Sequence, residues 1–288
     1  MDRTAGGIKG LTVEDVMTKS PVVARLPGTR TEVLRLMVKH RITGVPITHR
    51  DGTLAGFVAR KHIFAIPDEE QLTLIMKKDY PSIEPDQPLK VLTKMLLSLE
   101  LRHLPVVKKG RVVGIVTPAD LLRVVEETRS DTAVIDLVRS PCIPIHETTP
   151  LKAASEIMRI GKAFALPVLD DDGKLSGIIT DRDIFNLSVV DGQTAIKDLG
   201  LGRKETVDKE GLQNVMKLYY EESKIDLPKV MVKEVMIRKP ATVFSRTGAG
   251  EAARLMRKHD YGQLPVRDEN DRLLAMIYEL DVVSVLTK

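Results

Sequence analysis

Residues Gly177-Ile178-Ile179-Thr180-Asp181-Arg182-Asp183 read GIITDRD, and two interpretations compete for them. The β-branched pair Ile178-Ile179 suits a buried strand. Thr180 with Asp183 three positions on, ahead of the apolar Ile184-Phe185, has the form of a capping box that opens a helix. The alternative is a binding motif. A glycine admits a ligand close to the strand backbone, and a helix start presents amides, a hydroxyl and a carboxylate to it. The remainder of the chain decides between the two.

The stretch is one of four. Apolar-Pro-apolar tripeptides recur at Val45-Pro46-Ile47, Leu104-Pro105-Val106, Leu166-Pro167-Val168 and Leu264-Pro265-Val266. Stepping back 29 residues from each proline gives Met17, Met76, Val138 and Met236, and stepping back 9 gives Met37, Leu96, Met158 and Met256. Stepping forward 9 or 10 gives Gly56, Gly114, Gly177 and, in the fourth copy, Ala275. A fixed register repeated four times marks internal duplication.

Each copy reads strand, helix, strand, turn, strand, helix. In the third, Cys142-Ile143-Pro144-Ile145 is expected as a short strand, and Thr149-Pro150 starts a helix. Leu151, Ala154, Ile157 and Met158 share one face of that helix, which Gly161 closes. Strands are expected over Phe164–Leu169 and Leu175–Thr180, followed by a helix near Asp181. One such unit cannot bury both its faces, so the copies should pair. The prolines at 167 and 265 are 98 residues apart, against 59 and 62 for the earlier intervals, which places an insert at 191–229. Within it Leu212, Val215, Met216 and Tyr219 form an amphipathic stripe, expected to pack back on the protein.

Composition sets the class. The chain has 288 residues, 43% hydrophobic and 29% charged, with 3% aromatics, so its core must be aliphatic. A net charge of +4 from 44 basic and 40 acidic residues argues against nucleic acid, which calls for a concentrated basic face. The densest basic cluster, Lys108-Lys109-Gly110-Arg111, sits at a turn. No apolar run reaches a membrane span and no signal-peptide core is present, so a cytoplasmic protein is expected. Cys142 is the only cysteine.

The apolar-Pro-apolar strand followed by G-h-h-T-x-x-D resembles the cystathionine β-synthase-type (CBS) repeat. Four in one chain resemble the γ subunit of AMP-activated protein kinase and stand-alone archaeal CBS proteins. The resemblance implies an α+β fold of four CBS-type βαββα repeats, paired into two Bateman modules in a disc-like assembly. The expected divisions are a tail at 1–9, repeats at 10–68, 69–130 and 131–190, the insert at 191–229, and a fourth repeat at 230–288. It further implies reversible binding of an adenine nucleotide (AMP, ADP or ATP) as a regulatory ligand between paired repeats. S-adenosylmethionine or a related adenosyl ligand is the alternative. A third possibility is an interaction or transcription-linked adaptor with vestigial pockets.

Carried over by position, the resemblance points to Thr117 and Asp120 in GIVTPAD, Thr180 and Asp183 in GIITDRD, and Asp281 in AMIYELD, where Tyr278 replaces threonine. The first copy, GFVARKH, has Ala59 and His62 instead, with Arg60, Lys61 and His62 as candidate phosphate contacts. Arg102-His103 before the second apolar-Pro-apolar strand, and Arg182 in the third motif, are the expected cationic ligand contacts. No enzyme is expected: the six histidines are scattered, and nucleophile-elbow and P-loop patterns are missing from the sequence. The pair Gly200 and Gly202 has no third glycine. A homodimer or protein partner under ligand control completes the expectation.

Overall fold

The computed structural model describes residues 10–40, 42–59, 62, 69–161, 163–180, 183 and 227–287. Arg60, Lys61, Arg182, the stripe Leu212, Val215, Met216 and Tyr219, and the Gly200–Gly202 segment lie outside the described residues.

Each repeat is built on one antiparallel hairpin. The strands are β1 (Gly44–Thr48) and β2 (Leu54–Ala59), then β3 (Leu104–Lys108) and β4 (Arg111–Val116). In the second half they are β5 (Ala165–Leu169) and β6 (Leu175–Thr180), then β7 (Gln263–Arg267) and β8 (Leu273–Tyr278). The repeated prolines occupy the middle of the first strand, facing Phe57, Ile115, Ile178 and Met276 across the ladder. Helices among the described residues include α1 (Arg30–His40), α2 (Leu89–Ser98), α3 (Pro118–Thr128), α4 (Leu151–Gly161), α5 (Ala249–His259) and α6 (Glu279–Val283). Their buried residues recur at helical spacing: Val33, Leu34 and Met37 on α1, Leu89, Leu92 and Leu96 on α2, Leu151, Ala154 and Met158 on α4.

The expected strand at 142–145 shrinks to Ile145–His146, paired in parallel with β5. Pro141 and Pro144 lack the N–H that a ladder needs, so pairing begins only beyond them.

Pairing works by exchange. The N-terminal arm of each repeat docks on its neighbour. Thr18–Lys19, in the arm of repeat 1, pairs with β4 of repeat 2, while Lys77, in the arm of repeat 2, exchanges two 3.0 Å backbone bonds with Phe57 of repeat 1. In the second half Ile237–Arg238 pairs with β6 of repeat 3, and the Val134 and Ile135 amides donate to Thr247 and Ser245 of repeat 4. Repeats 1 and 2 therefore form one pair and repeats 3 and 4 another.

The exchange explains the repeated glycine. A Cβ on Gly177 would stand 2.5 Å from the Met236 sulfur, one on Gly56 would stand 2.7 Å from the Lys77 carbonyl oxygen, and one on Gly114 would strike the Met17 sulfur. The close approach that glycine permits is used by the arm of the partner repeat, not left open for a ligand. In repeat 4 the position is Ala275, part of a core cluster against which the shorter Val138, at the anchor position of repeat 3, packs.

The two pairs are joined through repeats 2 and 4. Leu121, Leu122, Val124 and Val125 on α3 share one core with Ala249, Ala252, Ala253 and Met256 on α5 and with Val282 and Val283 on α6. Small residues let the helices close in: a Cβ on Gly250 would come within 3.0 Å of the Arg129 Cα. Arg257 on α5 and Glu126 on α3 form an ion pair across the same seam.

Candidate functional site

The same bond recurs at the end of all four second strands, and in repeats 2 and 4 a helix, α3 or α6, starts there. The Thr117 amide donates to Asp120 Oδ2 at 2.7 Å, the Thr180 amide to Asp183 Oδ2 at 2.8 Å, and the Tyr278 amide to Asp281 Oδ2 at 3.0 Å. In repeat 1 the Ala59 amide donates to His62 Nδ1 at 3.1 Å. The imidazole takes the place of the carboxylate as acceptor, so the departure from the motif preserves this bond. The threonine hydroxyls of repeats 2 and 3 also donate to their aspartates, at 2.7 and 2.6 Å. The capping box of GIITDRD is therefore present.

Capping engages only part of the aspartates in repeats 2 and 3. Both are half-buried, and among the described residues the capping bonds to each reach Oδ2. In repeat 2 this leaves Asp120 Oδ1 as an acceptor in the first turn of α3. Asp281 differs. It is 3% exposed, and burial holds its carboxyl above the usual range against the opposing pull of the Tyr278 amide and of Arg139, through both its charge and its backbone. Its carboxylate ties the α6 start to the arm of repeat 3. Beside it Tyr278 and Cys142 flank a small apolar cluster of Ala165, Ile178 and Met276. Burial raises the tyrosine hydroxyl, and the nearby Cys142 and Asp281 add to the rise; burial likewise raises the Cys142 thiol.

Arg102 and His103, adjacent in sequence, go to different places. The Arg102 guanidinium lies 4.6 Å from the ring centroid of Phe164, the residue at the same register position in repeat 3. Nearby, burial pushes the Glu279 carboxyl up; Arg102 opposes the shift, and Asp260 and Asp120 reinforce it. Repeats 2, 3 and 4 thus meet at one charged junction containing Arg102 and Asp120. His103 instead turns to repeat 1. Its Nε2 is 2.9 Å from the Thr43 hydroxyl, and its ring lies 5.6 Å from that of Phe57. Phe57 also stacks on Tyr80, with centroids 4.4 Å apart.

Sequence reasoning did not single out Phe57, Tyr80, Arg139 or Glu279. Tyr80 could have been found by register: it stands four residues after Met76, where the other copies have Pro21, Cys142 and Pro240. Glu279 lies inside the fourth motif itself. Among the described residues no three His, Cys, Asp or Glu could together hold a metal ion, and no helix is long and apolar enough to cross a membrane.

The CBS-domain family matches this chain four times, at residues 13–69, 71–127, 134–189 and 232–288. The chain belongs to the CBS-domain family. A crystal structure of a conserved protein from Pyrococcus horikoshii superposes with a TM-score of 0.70 at 25% identity, covering 96% of this chain and all of that one. Protein MJ1225 of Methanocaldococcus jannaschii, a proposed archaeal homologue of γ-AMPK, superposes with a TM-score of 0.68 at 18% identity and shares the fold. In sequence, MJ1225 is 24% identical over 191 residues, 60% of this chain and 68% of that protein. Inosine-5'-monophosphate dehydrogenase of Thermoplasma acidophilum is 28% identical over 170 residues, 59% of this chain but only 33% of the enzyme. This CBS-domain chain therefore spans about a third of that dehydrogenase.

Proposed function

We propose that this CBS-domain protein is a regulatory sensor, not an enzyme, that reversibly binds an adenine nucleotide at the helix starts of repeats 2 and 3. The observation that carries this reading is the pair of half-buried Thr-Asp caps. Each has a carboxylate with a second oxygen, and that of Asp120 lies in the first turn of α3. A carboxylate can accept from the vicinal hydroxyls of a ribose, and charge-assisted bonds of that kind contribute about 1.5–3 kcal/mol each. Arg102, which like Asp120 acts on the Glu279 carboxyl, supplies positive charge for a phosphate; Arg182, by its place in the third motif, is assigned the same role. His103 is held against Thr43 and Phe57 and acts on the neighbouring cleft instead. Asp281, buried and bound to its own backbone surroundings, acts chiefly as a structural group.

The second reading is S-adenosylmethionine or a related adenosyl ligand. It is favoured by the apolar lining between repeats 3 and 4, where Ala165, Ile178 and Met276 offer no cation to a phosphate chain. A partner protein or a second copy would read the occupied state. Parallel calorimetric titrations with AMP, ADP, ATP and S-adenosylmethionine test the proposal. Saturable binding of AMP, ADP or ATP in preference to the sulfonium supports it. Preference for S-adenosylmethionine selects the second reading, and heat from none of the four refutes both.

A further inference from the structure

We infer that the cleft of repeat 1 is closed by a built-in aromatic plug of Phe57, Tyr80 and His103, so that the protein's own rings exclude an adenosine-type ligand there. This rests on the reading of the clefts as adenosyl sites and adds which of them is shut, and by what.

The plug draws on three separate segments. Phe57, fully buried, follows the repeated glycine on β2; Tyr80 comes from the arm of repeat 2; His103 begins the strand region of repeat 2. Tyr80 and Phe57 lie nearly parallel, 18° apart with centroids 4.4 Å apart, and His103 closes the side at 36° to Phe57. Inserting a planar base between two rings needs their faces roughly 7 Å apart, twice a van der Waals contact of ~3.5 Å. No such gap exists. The polar edges of the plug are also tied inward. The Tyr80 hydroxyl donates to the His103 carbonyl at 3.1 Å, and His103 Nε2 meets the Thr43 hydroxyl at 2.9 Å. Burial lifts the Tyr80 hydroxyl to about 12, so it stays a neutral donor. Gly44 completes the fit, since a Cβ there would lie 2.6 Å from Phe57 Cζ and 3.2 Å from His103 Cγ.

The other copies carry smaller or non-aromatic side chains at these positions. Where Phe57 stands they have Ile115, Ile178 and Met276; where Tyr80 stands, Pro21, Cys142 and Pro240; where His103 stands, Gly44, Ala165 and Gln263. The rings adjoin the motif that has lost its aspartate to His62: Gly44, against Phe57 and His103, pairs with Ala59, whose amide donates to His62. Loss of the carboxylate and filling of the space are two distinct ways to silence a site, and substitution separates them.

His62→Asp restores the carboxylate with the plug intact. His62→Asp/Tyr80→Ala restores it and removes the central ring. Adenosine binding to the full chain is counted by calorimetry for the parent and both variants, with thermal melting to confirm folding. The inference predicts that His62→Asp binds as many adenosines as the parent and that the double variant binds one more. A gain in His62→Asp alone would show that the rings exclude nothing, and no gain in a folded double variant would equally overturn the plug. If Tyr80→Ala prevents folding, His62→Asp/Phe57→Ile, which copies the residue of repeats 2 and 3, answers the same question. A parent that binds no adenosyl ligand defeats the proposed function, whereas the difference between the two variants still reads the plug.

Discussion

Asp183 accepts the Thr180 amide and hydroxyl through Oδ2, and the proposal assigns its second oxygen to a ribose. The two tasks respond differently to substitution. Asp183→Asn keeps an oxygen for the cap, so its melting temperature should stay near that of the parent while ligand binding weakens. Asp183→Ala loses both and should be destabilised by about 0.5–2 kcal/mol, the usual cost of a lost cap. Thermal melting without ligand, set beside a titration, checks the split; equal stability losses in both variants would show that charge, not capping geometry, stabilises the helix start. Glu279 offers a second test. Its carboxyl is pushed above the ordinary 4.5 by burial, despite Arg102. Below about pH 4.5 both folded and unfolded chains hold this proton. As pH rises through the folded value, the folded chain must release a proton it holds more tightly than the unfolded one, and stability falls. Glu279→Gln should therefore melt higher than the parent at neutral pH and lack that fall. An unchanged pH profile would mean that the junction tolerates the charge.

Among the elements, the arms that cross between repeats explain both the glycines and their exception. Gly177→Ala places a methyl group against the Met236 sulfur and should cost about 1–3 kcal/mol, as overpacking does. Adding Met236→Val copies the Ala275–Val138 pair of repeat 4 and should recover most of the loss in chemical denaturation; additive losses would contradict the arm-exchange explanation. The four hairpins, their helices and the capped starts were legible in the sequence because each follows from local signals: a period of 3.6, a proline at fixed register, a Thr-x-x-Asp. The arm exchange was not, because a two-residue strand such as Ile237–Arg238 carries no pattern of its own and its partner lies over fifty residues away. The glycine was legible as a point of close approach, but its occupant was a long-range fact. Likewise Arg102 and His103 looked like one cationic pair, and only the packing of Phe164 on one and Phe57 on the other separates them. At positions 142–145 the prolines that shorten the strand were already visible.

In the whole molecule, repeats 2 and 4 form the seam that turns two pairs into one body, through α3, α5 and α6. Gly250→Val would force a side chain toward the Arg129 backbone and should open that seam. The expected outcome is a lower denaturation midpoint, with a transition that splits as the two pairs unfold separately; a single unchanged transition would mean that the seam contributes little. The same arrangement brings Asp120, Arg102 and Glu279 of different repeats to one junction, so occupancy at repeat 2 is placed to act on the contact between the pairs. The most direct test of the proposed sensor is the stoichiometry of adenosyl ligand binding to the parent, Asp120→Ala, Asp183→Ala and the double variant. Two ligands per chain are predicted for the parent. Each single substitution should weaken one site by about 10–100-fold, at 1.4 kcal/mol per tenfold, and the double variant should retain neither. Four ligands per chain, or a double variant that binds as the parent does, would contradict the assignment and leave the aspartates as helix caps alone.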